Sequence, residues 1–125
     1  MKASLNNYRQ APRKVRLVTN FIRGMEVGRA TAELTHLPKR ASGPILKLLK
    51  SSLANLSGDN LGALEAGNLY VKSISVDKGV IMKRSMPRAM GRAFPIHKHT
   101  SHIKLELAVR AQGAKRKTQS KRKYK

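Results

Sequence analysis

The chain has no cysteine and no tryptophan, only three tyrosines and two phenylalanines, and six acidic residues among 125. Without cysteine there are no disulfide staples, no thiolate chemistry and no Cys-based zinc sites, which fits a reducing compartment. No apolar run approaches the roughly 18–20 residues of a membrane span, and the N-terminus lacks the hydrophobic stretch of a signal peptide. A soluble, cytoplasmic protein is expected. The scarcity of acid matters most: against 27 lysines and arginines it leaves a formal charge of +21. That much like charge opposes compaction unless a polyanion neutralises it. Nucleic acid is the first partner to expect, and an anionic membrane surface the second.

The few acids are unevenly placed. Residues 1–24 carry six basic side chains and no acid, and residues 110–125 carry eight and none. Five of the six acids (Glu26, Glu33, Asp59, Glu65, Asp77) and most of the leucines fall in residues 24–77, which are expected to form the folded body. Pro12 suits the first turn of a helix and Gly24 its stop, so residues 12–23 read as a helix. At about 100° per residue Val15, Val18, Phe21 and Ile22 share its core side, while Arg13, Arg16, Asn20 and Arg23 form a cationic stripe opposite. Ala30, Leu34 and Leu37 mark a second helix over 27–37, closed by Pro38. Ile45, Leu48, Leu49, Leu53 and Leu56 mark a third over 40–56, stopped by Gly58-Asp59-Asn60 and Gly62. Residues 69–76 read as a strand whose apolar alternation shifts register between Val71 and Ile74, the sign of a bulge. Ile103, Leu105, Leu107 and Val109 alternate with polar residues as a second strand, and residues 1–9 offer a third.

Between these strands lies KRSMPRAMGRAFPIHKHTSH, residues 83–102, which holds cations, histidines, two prolines and a glycine but no acid. Met82, Met86, Met90, Phe94 and Ile96 are interleaved with the charges, unlike a solvated linker. If the flanking strands pair, residues 77–100 form a hairpin whose arms extend some 35–40 Å at about 3.3 Å per residue. A ribbon of this kind has no core and is ordered by what surrounds it. Arg and Lys suit phosphates, Met and Phe suit bases or sugars, and Pro87 with Gly91 bends the tip. His97, His99 and His102 resemble a metal motif in spacing alone, since Lys98 and Lys104 oppose a cation and no carboxylate or thiol is near. Their imidazoles suit bases or phosphate oxygens better. No nucleophile, base and orienter recur at a motif-like spacing, so no enzyme is expected. The lysine-rich residues 111–125 read as a disordered basic tail.

APRKVRLV (residues 11–18), IRG (22–24), PILKLLKSSLAN (44–55), and MPRAMGRA (86–93) followed by TSHI (100–103), in that order, resemble the bacterial large-subunit ribosomal protein L-twenty-two family. The likeness runs from about residue 5 to 110. The family's third helix often ends Ala-Asn-Ala-Glu-His-Asn where residues 54–59 here read Ala-Asn-Leu-Ser-Gly-Asp, and the lysine-rich tail lies outside the shared pattern. The resemblance implies one α+β domain over residues 1–110, three helices on a small antiparallel sheet of about three strands, with the long basic hairpin protruding. It implies an architectural role without cofactor: binding 23S-type ribosomal RNA, supporting subunit assembly, and lining the exit tunnel, where nascent chains pass. Neighbouring ribosomal proteins and the nascent polypeptide are the implied protein partners, with no membrane and no homo-oligomer. By motif position Met82, Lys83, Arg84, Arg88, Met90, Gly91 and Arg92 sit at or near the tunnel tip. The RNA-binding set comprises Arg9, Arg13, Lys14, Arg16, Arg23, Lys83, Arg84, Arg88, Arg92, Lys98, His99 and His102. The competing expectation is a DNA-bending protein, which also uses basic β-arms with a wedge at the tip but generally needs a dimer to present two.

Overall fold

The computed structural model of the chain describes residues 1–57 and 69–109. Six elements follow one another: β1 (Lys2–Tyr8), α1 (Pro12–Ile22), α2 (Val27–His36), α3 (Ser42–Ser57), β2 (Leu69–Pro87) and β3 (Ala93–Val109). The strands form one antiparallel sheet in the order β1-β3-β2, so the last strand in sequence is the central one in space. The α+β architecture and both uncertain features of the sequence, the N-terminal strand and the bulge, are present. The side-chain burial of Leu56, the stop at 58–62 and the tail at 111–125 fall outside what is described.

One face of the sheet is apolar. Ile103, Leu105 and Leu107 of β3 are fully buried beside Leu69, Val71, Ile74 and Val76 of β2. These side chains pack under Val15, Val18 and Ile22 of α1, with α2 and α3 completing the cover through Ala30, Leu34, Ile45 and Leu49. On β2 the buried positions change parity, from 69 and 71 to 74 and 76, because the register slips between Val71 and Ser73. Without that extra residue Ser73 and Ser75 would face the core. The bulge is therefore what allows both halves of the strand to bury valine and isoleucine. The α1–α2 junction caps the outer edge beside it: the Gly24 N–H donates to the Val71 carbonyl at 3.0 Å, and the Val71 N–H donates to the Met25 carbonyl at 2.9 Å.

Helix α1 departs from expectation in one position. Phe21 is 44% exposed, and Thr19 takes the buried place instead. At about 100° per residue, Phe21 lies roughly 60° beyond Val18, outside the arc that Val15, Thr19 and Ile22 span. The Thr19 hydroxyl is accommodated by donating to the Arg16 carbonyl at 3.2 Å.

The core ends at Val76 and Ile103, yet β2 and β3 stay paired to Pro87 and Ala93. The two expected strands and the expected arm are thus one continuous ladder. A second slip, between Lys78 and Ile81, marks where body becomes arm. Here Thr100 donates its hydroxyl hydrogen to the Val80 carbonyl at 2.7 Å. A Cβ on Gly79 would stand 2.5 Å from Thr100 Oγ1 and 3.3 Å from its carbonyl carbon. β1 slips at the same level, between Leu5 and Tyr8, where Asn7 takes a φ of 55° and its N–H donates to His102 Nδ1 at 3.2 Å. The central strand is flanked by a bulge on each side at the arm's root. From Gly79 to Pro87 the arm is roughly 30 Å long at about 3.3 Å per residue, shorter than expected because it starts at the bulge.

Gly79→Ala is expected to destabilise the protein by about 1–3 kcal/mol through overpacking. Adding Thr100→Ala should recover part of that loss, and paired denaturant titrations of the single and double variants measure the coupling.

Candidate nucleic-acid interface

The described acids are Glu26, Glu33, Asp77 and Glu106, and three of them are already engaged with cations of the same chain. Lys2 pairs with Glu106 at 3.3 Å and Lys104 with Asp77 at 3.8 Å, both across the sheet's outer face, while Arg29 pairs with Glu33 at 3.8 Å along α2. A hydrogen bond from Ser73 Oγ, followed by the contact and charge of Lys2, holds the Glu106 carboxyl below its usual range. Mixed charge of this kind is what a solvated face carries. The remaining surface, from the start of α1 across the arm, has cations without acids.

The cations on α1 divide into two kinds. Arg16 donates to the Val76 carbonyl from Nε at 3.2 Å and from Nη2 at 2.8 Å. Arg23 reaches the Ile74 carbonyl from Nη2 at 2.9 Å. Both guanidinium groups thereby satisfy the exposed edge of β2, holding α1 to the strand. The Arg13 and Lys14 side chains make no hydrogen bond or ion pair among the described residues, and both residues are exposed. Two of the three arginines in the expected cationic stripe are therefore structural.

Along the arm every residue from 83 to 95 is exposed. The tip is a short 3-10 turn at Ala89–Gly91, closed by the Arg88 N–H donating to the Arg92 carbonyl at 2.8 Å. Met90 and Gly91 both take the left-handed conformation, with φ of 61° and 70°. Glycine adopts it freely and methionine at a cost. Met90 projects almost wholly into solvent, 96% exposed, and Arg88 lies over the Phe94 ring at 5.6 Å. Arg88, Met90, Gly91 and Arg92 form the tip, but Met82, Lys83 and Arg84 do not. They pair with Lys98, His97 and Ile96. The strand runs on to Pro87 before it turns, because pairing persists past the residues where the motif spacing suggested the tip.

Met82 belongs instead to a cleft of about 580 Å3 at the arm's root, lined by Arg9, Gln10, Ala11, Lys14, Arg40, Met82, His97, Lys98 and His99. Of the expected binding set, Arg9, Lys14, Lys98 and His99 meet there. Arg40 was missed, being read simply as the start of the third helix. The local signal was the Pro38-Lys39-Arg40 turn between two apolar periods, but only tertiary folding carries that turn to the arm. The cleft's frame is well fastened. The Tyr8 hydroxyl sits 2.8 Å from its acceptor Gln10 Oε1 and 3.2 Å from the Arg40 carbonyl, and burial raises its pKa. Ser101 Oγ donates to the Gln10 carbonyl at 3.1 Å, and Ser42 Oγ donates within the turn to Lys39 and Leu37. The rings of His97 and His99 meet edge-on at 6.4 Å between centroids. His102 lies apart, bonded to Asn7.

Residues 3–108 match the family described as "Ribosomal protein L22p/L17e". The chain belongs to this family. The large ribosomal subunit protein uL22 of Anaeromyxobacter sp. (strain K) is 48% identical over 111 residues, covering 89% of this chain and 75% of that protein. The protein of the same name from Anaeromyxobacter sp. (strain Fw109-5) is 50% identical over 107 residues, covering 86% and 74% respectively. The family is one of ribosomal proteins and not of enzymes.

If Arg16 holds α1 to β2, Arg16→Ala lowers the stability of the free protein by about 1–2 kcal/mol, whereas Arg13→Ala leaves it within about 0.5 kcal/mol. Thermal melts of the two variants in the absence of RNA separate a structural arginine from a surface one.

Proposed function

We propose that this chain acts as an RNA-bound scaffold in which the β2–β3 arm penetrates folded 23S-type ribosomal RNA and presents its tip to the polypeptide exit tunnel. Membership of the family makes the chain a structural constituent of the large ribosomal subunit, hence of the cytoplasmic ribosome. The single observation that carries the finer reading is an acid-free ribbon whose residues 83–95 are all exposed. Such a ribbon has nothing of its own to fold upon. Its charge demands a polyanion, and its Met86, Met90 and Phe94 side chains, all exposed, demand a surface less wet than bulk solvent.

In this reading the parts have distinct duties. Lys83, Arg84, Arg88 and Arg92 lie along phosphates of the surrounding RNA. Arg9, Arg13 and Lys14, with Lys98, His99 and His102 on the facing strand, fasten the body where the arm enters. Arg16 and Arg23 add charge to that surface with the donors that β2 does not use. The tip formed by Arg88, Met90, Gly91 and Arg92 faces the tunnel, where a nascent chain passes, and neighbouring ribosomal proteins abut the body. Residues 1–110 serve as one domain, the hairpin being an extension of its sheet. Cations of this sort bind by releasing counterions from phosphates, so affinity falls with salt at a logarithmic slope of roughly −0.7 to −0.9 per neutralised phosphate.

Arg88→Ala combined with Arg92→Ala is expected to delay or weaken large-subunit assembly, or to alter passage through the tunnel, while the free protein melts as the wild type does. Sucrose-gradient profiles and nascent-chain arrest assays report the first two, and a thermal melt the third. Subunit profiles and tunnel behaviour that match wild type would remove the arm from the RNA.

A further inference from the structure

The cleft between the start of α1, the turn carrying Arg40 and the root of the arm is built differently from the rest of the basic surface. Along the arm cations stand on a convex ribbon; here they surround a concavity. Its volume of about 580 Å3 falls within the range of about 300–1,000 Å3 typical of small-ligand sites, well above what one phosphate needs. Arg9, Lys14, Arg40 and Lys98 supply charge around it, and no acid lines it. It also contains two imidazole rings set edge to face, His97 and His99, while Met82, paired with Lys98, belongs to the other face of the ribbon. Phosphates call for the cations alone. Two rings beside a cluster of cations match a ligand with both a charged backbone and a flat π-face.

We propose that this cleft is a pocket for one unpaired RNA nucleotide, its base held against His97 and His99 and its flanking phosphates gripped by Arg9, Lys14 and Arg40. The inference rests on the RNA-binding reading and adds to it a place where a base, rather than the backbone, is recognised. A base inside a duplex is stacked on both faces and cannot enter a cleft, so the nucleotide is one splayed out from a loop, bulge or junction. The frame suits this duty. Arg40 is placed by a turn locked through Ser42 and Tyr8, and Gln10 is held at its backbone by Ser101. The backbone segments that carry Arg9 and Arg40 are therefore set before a ligand arrives, which lowers the entropic cost of binding. A neighbouring cleft of about 450 Å3, lined by Asn7, Arg9, Val80, Met82 and Thr100, shares Arg9 and Met82 with it. The strand of RNA leaving the pocket has a path along the arm's root.

The test uses large subunits assembled with variant protein and probed with base-modifying reagents at every nucleotide of the large-subunit RNA. His97 and His99 are exposed, so the double variant His97→Ala/His99→Ala keeps the fold, as a melt of the free variant confirms. It should raise the reactivity of one or two neighbouring bases by about fivefold or more, the low end of what losing a base–ring stack produces. Arg88→Ala/Arg92→Ala should alter a different set of nucleotides. If the tip variant changes reactivity and the histidine variant changes none, the pocket is wrong and RNA binding by the arm stands. If Lys14→Ala/Arg40→Ala exposes nucleotides and the histidine variant exposes none, the cleft grips backbone only and the base pocket is overturned. If no variant alters any nucleotide, RNA binding itself fails and the pocket with it.

Discussion

The hydrophobic face of the sheet stops at Val76 and Ile103, while the backbone ladder between β2 and β3 continues to Pro87 and Ala93. The rest of the molecule depends on this mismatch between burial and hydrogen bonding. Below that level the ladder lies under helices and gains the free energy of apolar burial, about 25 cal/mol per Å2 of surface removed from water. Above it the same ladder has backbone hydrogen bonds alone, each contributing little net of solvent. One pair of strands is thus a stable body at one end and an unsupported ribbon at the other. The transition is built, not gradual, because bulges in both neighbours flank β3 at Thr100 and His102, and Gly79 lets the strands close together where a side chain would collide with Thr100.

Charge follows the same division. Three of the four described carboxylates are spent on the body: Glu106 and Asp77 cross-link the outer face of the sheet and Glu33 braces α2. Two arginines are likewise used internally, bridging α1 to carbonyls on the edge of β2 that would otherwise be open to pairing. The cations left over have no acid paired with them among the described residues. Their mutual repulsion is tolerable in an extended arm, where spacing along the ribbon and counterions keep it small. A large polyanion relieves it far more completely, and binding therefore gains both from contact and from the repulsion removed.

Much of this was legible in the residues themselves. The apolar periods of α1, α2 and α3, the parity change between Val71 and Ile74, and the run without acids are local patterns, and each corresponds to an element or a bulge at the expected place. Phe21 was misjudged because a helical wheel with a wide apolar arc does not say where the arc ends; packing against the sheet ends it at Val18. Met82, Lys83 and Arg84 were placed too near the tip for a related reason. Strand pairing without a core leaves no hydrophobic signature, and the local signal, the bend at Pro87 and Gly91, marked the end of β2 better than motif position did. The cleft was the least visible feature. Arg9 with Lys14, Arg40 and His99 come from three separate stretches, and no spacing rule links them.

Composition and periodicity by themselves determined that the chain has a small α+β body, an acid-free hairpin and a demand for a polyanion, because charge totals and burial patterns are properties of the residues in order. Tertiary structure decided which cations serve the fold and which remain outside, and which residues from distant stretches surround one concavity. That assignment depends on distances of a few ångströms between strand edges, helix faces and turns, which only the folded chain sets.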